Sequence, residues 1–242
     1  MASVLEVPLP PLPENPSRNT SFLESLLNPN QTKRYCTANE DERPQIRSGL
    51  KPVRYKWTEF NVFIDDTFDT DERSLINNAL YKLNQVLPCI KFGIWPNSAK
   101  PSGDYVRIKK GNGCSSAIGR QGGVQLMSLS SPGCMSLRTI LHEMIHALGF
   151  LHEQSRPDRD KYVSVMWENI QPGKEHNFIK RDNKEVNTFG IPYDSRSIMH
   201  YHPNDFSWNG QPTIISKIGK RIGPTQDLRR SDIKKLKKMY KC

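Results

Sequence analysis

Between His142 and Glu153 the sequence reads HEMIHALGFLHE, three histidines and two glutamates in an otherwise apolar stretch. His142 and His146 are four apart. On a helix they project from one face, one turn apart, so their imidazole nitrogens can converge on a single ion. Gly149 can end that helix in a left-handed conformation, and the turn it makes brings His152 back toward the same point. Three neutral imidazoles make a zinc site with coordination positions left open for water. Glu143 follows the first ligand without sharing its direction. It sits beside the ion rather than on it, where a carboxylate can take a proton from water attacking a carbonyl and later pass it to the leaving amine. That is the chemistry of peptide hydrolysis.

His-Glu-x-x-His alone recurs by chance. Here the pattern is longer, His-Glu-x-x-His-x-x-Gly-x-x-His over residues 142–152, which is the metzincin arrangement with its later methionine turn. A segment that fits this turn is SIMHY, 197–201, in a turn-like setting after IPYDSR. Met199 is expected to form a hydrophobic floor under the ion.

These residues need elements to hold them. LRTILHEMIHALGF reads as a buried helix, since Ile140, Leu141, Met144, Ile145, Ala147 and Leu148 surround it with apolar groups. FNVFI (60–64) alternates as a strand, and DYVRI (104–108) and VQLMSL (124–129) are strand-like. Residues 69–88 read as a helix. Asp69 and Glu72 suit a capping box, Leu75, Ile76, Ala79, Leu80, Leu83 and Val86 follow at helical spacing, and Pro88 stops it. GNGCSSAIGRQGG is rich in turn glycines and lacks the Lys-Ser/Thr ending of a phosphate loop. The last helix is expected to start with Ser231 as cap and to bury Ile233, Leu236 and Tyr240.

The chain has 242 residues, 36% of them hydrophobic, enough for one large domain or two lobes. No apolar run approaches the ~20 residues of a membrane span. The start, MASVLEVPLPPLPENPSRN, lacks the apolar core of a signal peptide, so the sequence reads either as cytosolic or as lacking its export signal. The five cysteines, Cys36, Cys89, Cys114, Cys134 and Cys242, form no C-x-x-C pair. A cysteine at the last residue reads as a staple for the chain end, which favours an oxidising compartment. Sequons at Asn19 and Asn30 fit secretion. An odd count leaves one thiol over.

Residues 1–47 read as an extended leader. VPLPPLPENP cannot hold a helix, Lys33-Arg34 is a dibasic pair, and acidic NEDER follows. The formal net charge is +10, much of it in KIGKRIGPTQDLRRSDIKKLKKMYKC. That run is either the solvated face of a terminal helix or a surface for an acidic partner. No nucleic-acid motif accompanies it, and no nucleic-acid partner is expected.

HEMIHALGFLHE and SIMHY together make the sequence resemble the astacin family of zinc endopeptidases. Phe150 and Glu153 extend the zinc motif as the family does. GCSSAIGRQGGVQLMSLSSPGC, RPDRDKYVSVMWENIQPG and the closing MYKC also fit. The resemblance covers residues 48–242 and is nearest to hatching-enzyme and ovastacin-like members. It implies an α+β, zincin-like catalytic domain of two lobes: a twisted mixed sheet with the active-site helix, and an irregular C-terminal lobe. It implies one Zn2+ on His142, His146 and His152. Tyr201 would be a further, movable ligand able to stabilise the oxyanion of the tetrahedral intermediate. It implies disulfides Cys89–Cys242 and Cys114–Cys134, with Cys36 unpaired.

The resemblance also implies a zymogen. Residues 1–47 would be the pro-segment, and an activating protease would cut near Arg47-Ser48. The new amino terminus at Ser48 would then meet Glu153, which without a partner would be a buried charge lacking compensation. The family's Phe-x-Gly-Asp latency motif is absent. Asp41 is the nearest candidate for the blocking ligand, Cys36 is a rival because thiolate binds zinc strongly, and the remaining alternative is that neither reaches the metal. KPVRYKW stands where six-cysteine hatching enzymes carry an extra cysteine pair. Ser195, followed by Arg196, replaces the tyrosine usual before the methionine turn, which leaves primed-side specificity outside what the resemblance gives.

The leading function is therefore a secreted zinc endopeptidase acting on extracellular proteins, egg-envelope or matrix proteins among them, which lie extended against an edge strand near VQLMSL. The alternative is a catalytically weak, zinc-containing extracellular binding module. Nothing in the sequence sets the oligomeric state.

Overall fold

The computed structural model describes residues 55–242. The sequence readings on the leader, Cys36, Asp41 and Arg47-Ser48 lie outside the described residues.

β1 (Glu59–Ile64) buries Phe60, Val62 and Ile64 and turns the intervening side chains outward, the period of a half-buried strand. α1 (Thr70–Val86) starts with the expected capping box. Asp69 Oδ1 accepts the Glu72 N–H at 2.9 Å, and Glu72 Oε2 accepts the Asp69 N–H at 2.9 Å. Such a cap is worth about 1 kcal/mol. Ile76, Ala79, Leu80 and Leu83 form the buried stripe. β2 (Lys91–Trp95), β3 (Tyr105–Lys109), β4 (Cys114–Ser116) and β5 (Val124–Leu129) complete a five-stranded sheet in the order β2-β1-β3-β5-β4. Its pairs are parallel except β4 on β5, which is antiparallel. Buried positions fall in register, with Val62 beside Val106 and Ile108 beside Met127.

Two of these strands escape a reading by pattern. β2 carries Gly93 at its centre, and β4 is three residues long inside the glycine-rich segment expected to be turns. β4 exists because β5 offers it a partner, with Ser115 beside Ser128.

α2 (Leu137–Ala147) packs with α1 against the sheet, and its residues from Thr139 to Ala147 are all buried. Ser136 caps it, accepting the Thr139 N–H at 3.2 Å. Its end is a Schellman motif. Gly149 N–H reaches His146 O at 2.8 Å, Phe150 N–H reaches Ile145 O at 3.1 Å, and Gly149 has φ +103°. The remaining carbonyls of the last turn are met from elsewhere. Trp57 Nε1 donates to Ala147 O and Tyr240 Oη to Leu148 O, each at 2.8 Å.

Beyond Gly149 the chain is mostly irregular. It forms one-turn helices, the two-stranded ribbon β6 (Val163–Val165) with β7 (Ile214–Ser216), and a second core of Val163, Ile170, Phe178, Tyr193, Tyr201, Phe206 and Ile214. α3 (Arg230–Tyr240) then returns to the main core through Leu236 and Met239. The expected details of this helix need correction. Ser231 is not its cap: the helix begins one residue earlier, Asp232 Oδ2 accepts the Arg229 N–H at 3.0 Å, and Ser231 Oγ donates to Asp194 Oδ2 at 2.5 Å. Met239 and Lys235 are buried while Ile233 is half-buried. Cys89–Cys242 ties the end of α3 beside the end of α1, and Cys114–Cys134 closes β4 onto the approach to α2. Among the described residues no helix is long and apolar enough to cross a membrane.

Candidate metal centre

α2 delivers His142 and His146 from one face, and the Gly149 turn delivers His152. The Nε2 atoms of His142 and His146 each lie 3.2 Å from that of His152. Hydrogen-bond partners on the far side of two rings fix which nitrogens these are. His142 Nδ1 donates to Ile198 O at 2.8 Å and His146 Nδ1 to Phe150 O at 2.6 Å. Each proton therefore sits on Nδ1, and each Nε2 lone pair faces the other imidazoles.

Lone pairs crowded together in this way repel unless a cation sits among them. A tetrahedral zinc with Zn–N bonds of about 2.0–2.1 Å holds its nitrogens roughly 3.3 Å apart, close to the spacing here. Burial holds the His146 imidazole down to about 4. Burial, then the neighbouring imidazoles, put His142 and His152 well below the usual histidine range. All three rings are thus neutral at pH 7, the form that binds a metal. Among the described residues these three are the group placed to hold an ion, and the residues fit zinc.

Glu143 is wholly buried on α2, beside the first ligand in sequence. Tyr201 is buried with its ring 4.4 Å from that of His152, in the second core. Met199 belongs to the main core, so the metal site lies where the two cores meet. The methionine turn is held at several points. Met199 O accepts the Glu153 N–H at 2.9 Å, and Met199 N–H reaches Ser197 Oγ at 3.1 Å.

Several contacts that support the site carried no sequence signal. Asp232 of α3 accepts from Ser197 Oγ at 2.5 Å and from the Ile198 N–H at 3.1 Å. It therefore holds Ile198, the residue whose carbonyl orients His142, although burial pushes its carboxyl up. His200 Nδ1 donates to Tyr201 O at 2.7 Å, and its Nε2 accepts from Tyr193 Oη at 2.6 Å. Glu153 meets Arg156 at 3.1 Å, the Asp194 N–H at 3.0 Å and Lys235 Nζ at 2.6 Å. Asp232 lies 34 residues from Ile198 and Lys235 lies 82 from Glu153, both in a stretch that reads as a charged helix, so only the structure brings them to the site.

Comparison with known proteins bears on the same residues. The family model described as Astacin, a family of peptidases, matches residues 50–241. Zinc metalloproteinase nas-14 of Caenorhabditis elegans is 39% identical over 216 residues, covering 84% of this chain and 42% of that protein. Meprin A subunit beta of Homo sapiens is 35% identical over 206 residues, covering 83% of this chain and 28% of that protein. The chain thus spans less than half the length of either relative. Among solved structures, high choriolytic enzyme 1, a hatching enzyme zinc-protease from Oryzias latipes, superposes with TM-score 0.69 at 35% identity. The match covers 80% of this chain and 94% of that one.

Proposed function

This chain belongs to the astacin family, and from that premise we propose that it is a secreted zinc endopeptidase, made as a zymogen, that cuts extracellular proteins. The observation that carries the reading is the convergence of three neutral imidazoles with a wholly buried glutamate next to the first of them. His142, His146 and His152 would hold zinc, which would supply polarisation of a substrate carbonyl and a water nucleophilic at neutral pH. Glu143 takes the proton from the attacking water and returns it to the leaving amine. The phenol of Tyr201, which can also turn in as a further ligand, donates to the oxyanion as it develops. Met199 and the turn around it form the apolar floor that keeps the imidazoles in place.

The two disulfides support an oxidising compartment. Residues 1–47 act as the pro-segment, with Asp41 or Cys36 as the ligand that blocks the ion, and cleavage near Arg47-Ser48 uncovers the site. VQLMSL forms β5, which β3 and β4 pair on both sides, so the edge strand near it is β4, and the substrate lies extended along β4. Likeness to a hatching enzyme supports egg-envelope proteins as one substrate class.

The test is cleavage of casein by zinc-loaded protein cut after Arg47, beside its Glu143→Ala counterpart. Loss of the base should lower the rate by roughly 10²-fold or more while zinc content stays at one per chain. Equal rates would remove Glu143 from the role of base. A wild type that holds zinc and cleaves no protein would favour a binding module instead.

A further inference from the structure

α3 carries a run of lysines whose exposure is not uniform. Lys234, Lys237, Lys238 and Lys241 face solvent, but Lys235 is 7% exposed. Its ammonium points inward to Glu153, itself 5% exposed, at 2.6 Å across 82 residues of sequence. A buried lysine retains its place only when a carboxylate compensates it, and the reverse holds equally.

The other partners of Glu153 do not provide a whole charge. Arg156 reaches Glu153 Oε1 through one nitrogen but gives two others to Asp158, at 2.9 and 2.8 Å. The Asp194 N–H is a neutral donor. Among the described residues Lys235 is therefore the cation whose one ion pair is with Glu153. Below Lys235 lies Asp232, whose oxygens are taken up by Ser197 Oγ and the N–H groups of Ile198 and Arg229. A half-open pocket lined by Glu153, Arg156, Lys235, Val186 and Thr188 lies beside the pair.

Glu153 is a sensitive place for such a pairing. It follows the ligand His152 directly, and its N–H holds Met199 O. Whatever fixes its carboxylate fixes the third ligand and the methionine turn together.

We infer that Lys235 is a positioning residue of the metal site, supplying from within the folded domain the cation that resemblance assigns to a new amino terminus. Removal of residues 1–47 then activates by uncovering the site, and the exact start of the mature chain matters little. The inference rests on the zinc-peptidase reading for its kinetic arm, and its metal-release arm is independent of that reading.

The test uses the full, zinc-loaded chain with an engineered protease site ending at Arg47. One form frees Ser48; another leaves two glycines before it. Each is made as wild type, Lys235→Met and Lys235→Arg. Two quantities are read: kcat and KM on a peptide substrate, and the rate of zinc release into a chelating dye.

In the wild type the glycine extension should change kcat and zinc release by less than about threefold. Lys235→Met should release zinc at least about tenfold faster with either terminus and lower kcat more than it raises KM, whereas Lys235→Arg should stay within about threefold of wild type. A tenfold or greater loss on extending the wild-type terminus would overturn the inference, and so would a Lys235→Met protein that keeps its zinc and its kcat. If Lys235→Met does not fold, the extended wild type and Lys235→Arg still decide. A wild type that binds zinc but cleaves nothing would defeat the peptidase reading and leave zinc release to judge Lys235.

Discussion

Two backbone carbonyls, Ile198 O and Phe150 O, set the chemistry of the helix histidines by accepting from their Nδ1 atoms. Such outer partners fix the tautomer and aim the metal-binding nitrogen. The buried site then aims the Nε2 lone pairs of His142 and His146 at the third imidazole, an arrangement that a cation among them stabilises. Binding to the folded state alone stabilises it in proportion to ligand excess over Kd. Stripping zinc with 1,10-phenanthroline should therefore lower the thermal midpoint by several degrees, on the order of 5 °C or more, and one equivalent of zinc per chain should restore it. Scanning calorimetry with metal analysis gives both numbers. An unchanged midpoint after full metal loss would mean that the imidazoles are stable without a cation between them.

At the scale of elements, Gly149 is where a helix becomes a site. Its φ of +103° lets the chain leave α2 and return with His152. An alanine there meets the steric cost of a positive φ, about 1–2 kcal/mol. Gly149→Ala should lower unfolding free energy by about that amount and also weaken zinc binding, because the displaced segment carries the third ligand. Urea titration and chelator competition read the two effects. A variant with lowered stability and unaltered zinc affinity would show that His152 is placed by its other contacts. This turn was legible in the sequence, as were α1 with its capping box and the three zinc-binding histidines, because each follows from contacts within a few residues. Strands β2, β4, β6 and β7 were not, since three of them are only three residues long and exist by virtue of a partner. The true start of α3 was hidden for a related reason: Asp194 takes the Ser231 hydroxyl that would otherwise cap it. Lys235 looked like one more solvated lysine, and only the packing of α3 shows that it is buried.

At the scale of the whole molecule, the two lobes are joined beside the three histidines by side chains at and just before the start of α3. Asp194, on the approach to the methionine turn, accepts from Ser231 Oγ at 2.5 Å and from Arg229 Nε at 2.7 Å, while its other oxygen takes the Arg196 N–H at 3.0 Å. Burial alone would raise its pKa. The bonds from Ser231, Arg229 and the Arg196 amide outweigh that, so the carboxyl is held below its ordinary value. An acid with a depressed pKa binds fewer protons folded than unfolded. Its contribution is present above the unfolded value, about 3.9, and is lost as pH falls through the lower folded value. Asp194→Asn should therefore cost about 1.5–3 kcal/mol at pH 7, the range for hydrogen bonds to a charged group. The gap to wild type should narrow below about pH 4 as the wild-type carboxyl protonates. Loss of zinc in acid affects both proteins alike, so the difference between their urea midpoints isolates the carboxylate. A gap that stays constant or widens on acidification would mean that Asp194 holds the lobes together without its charge.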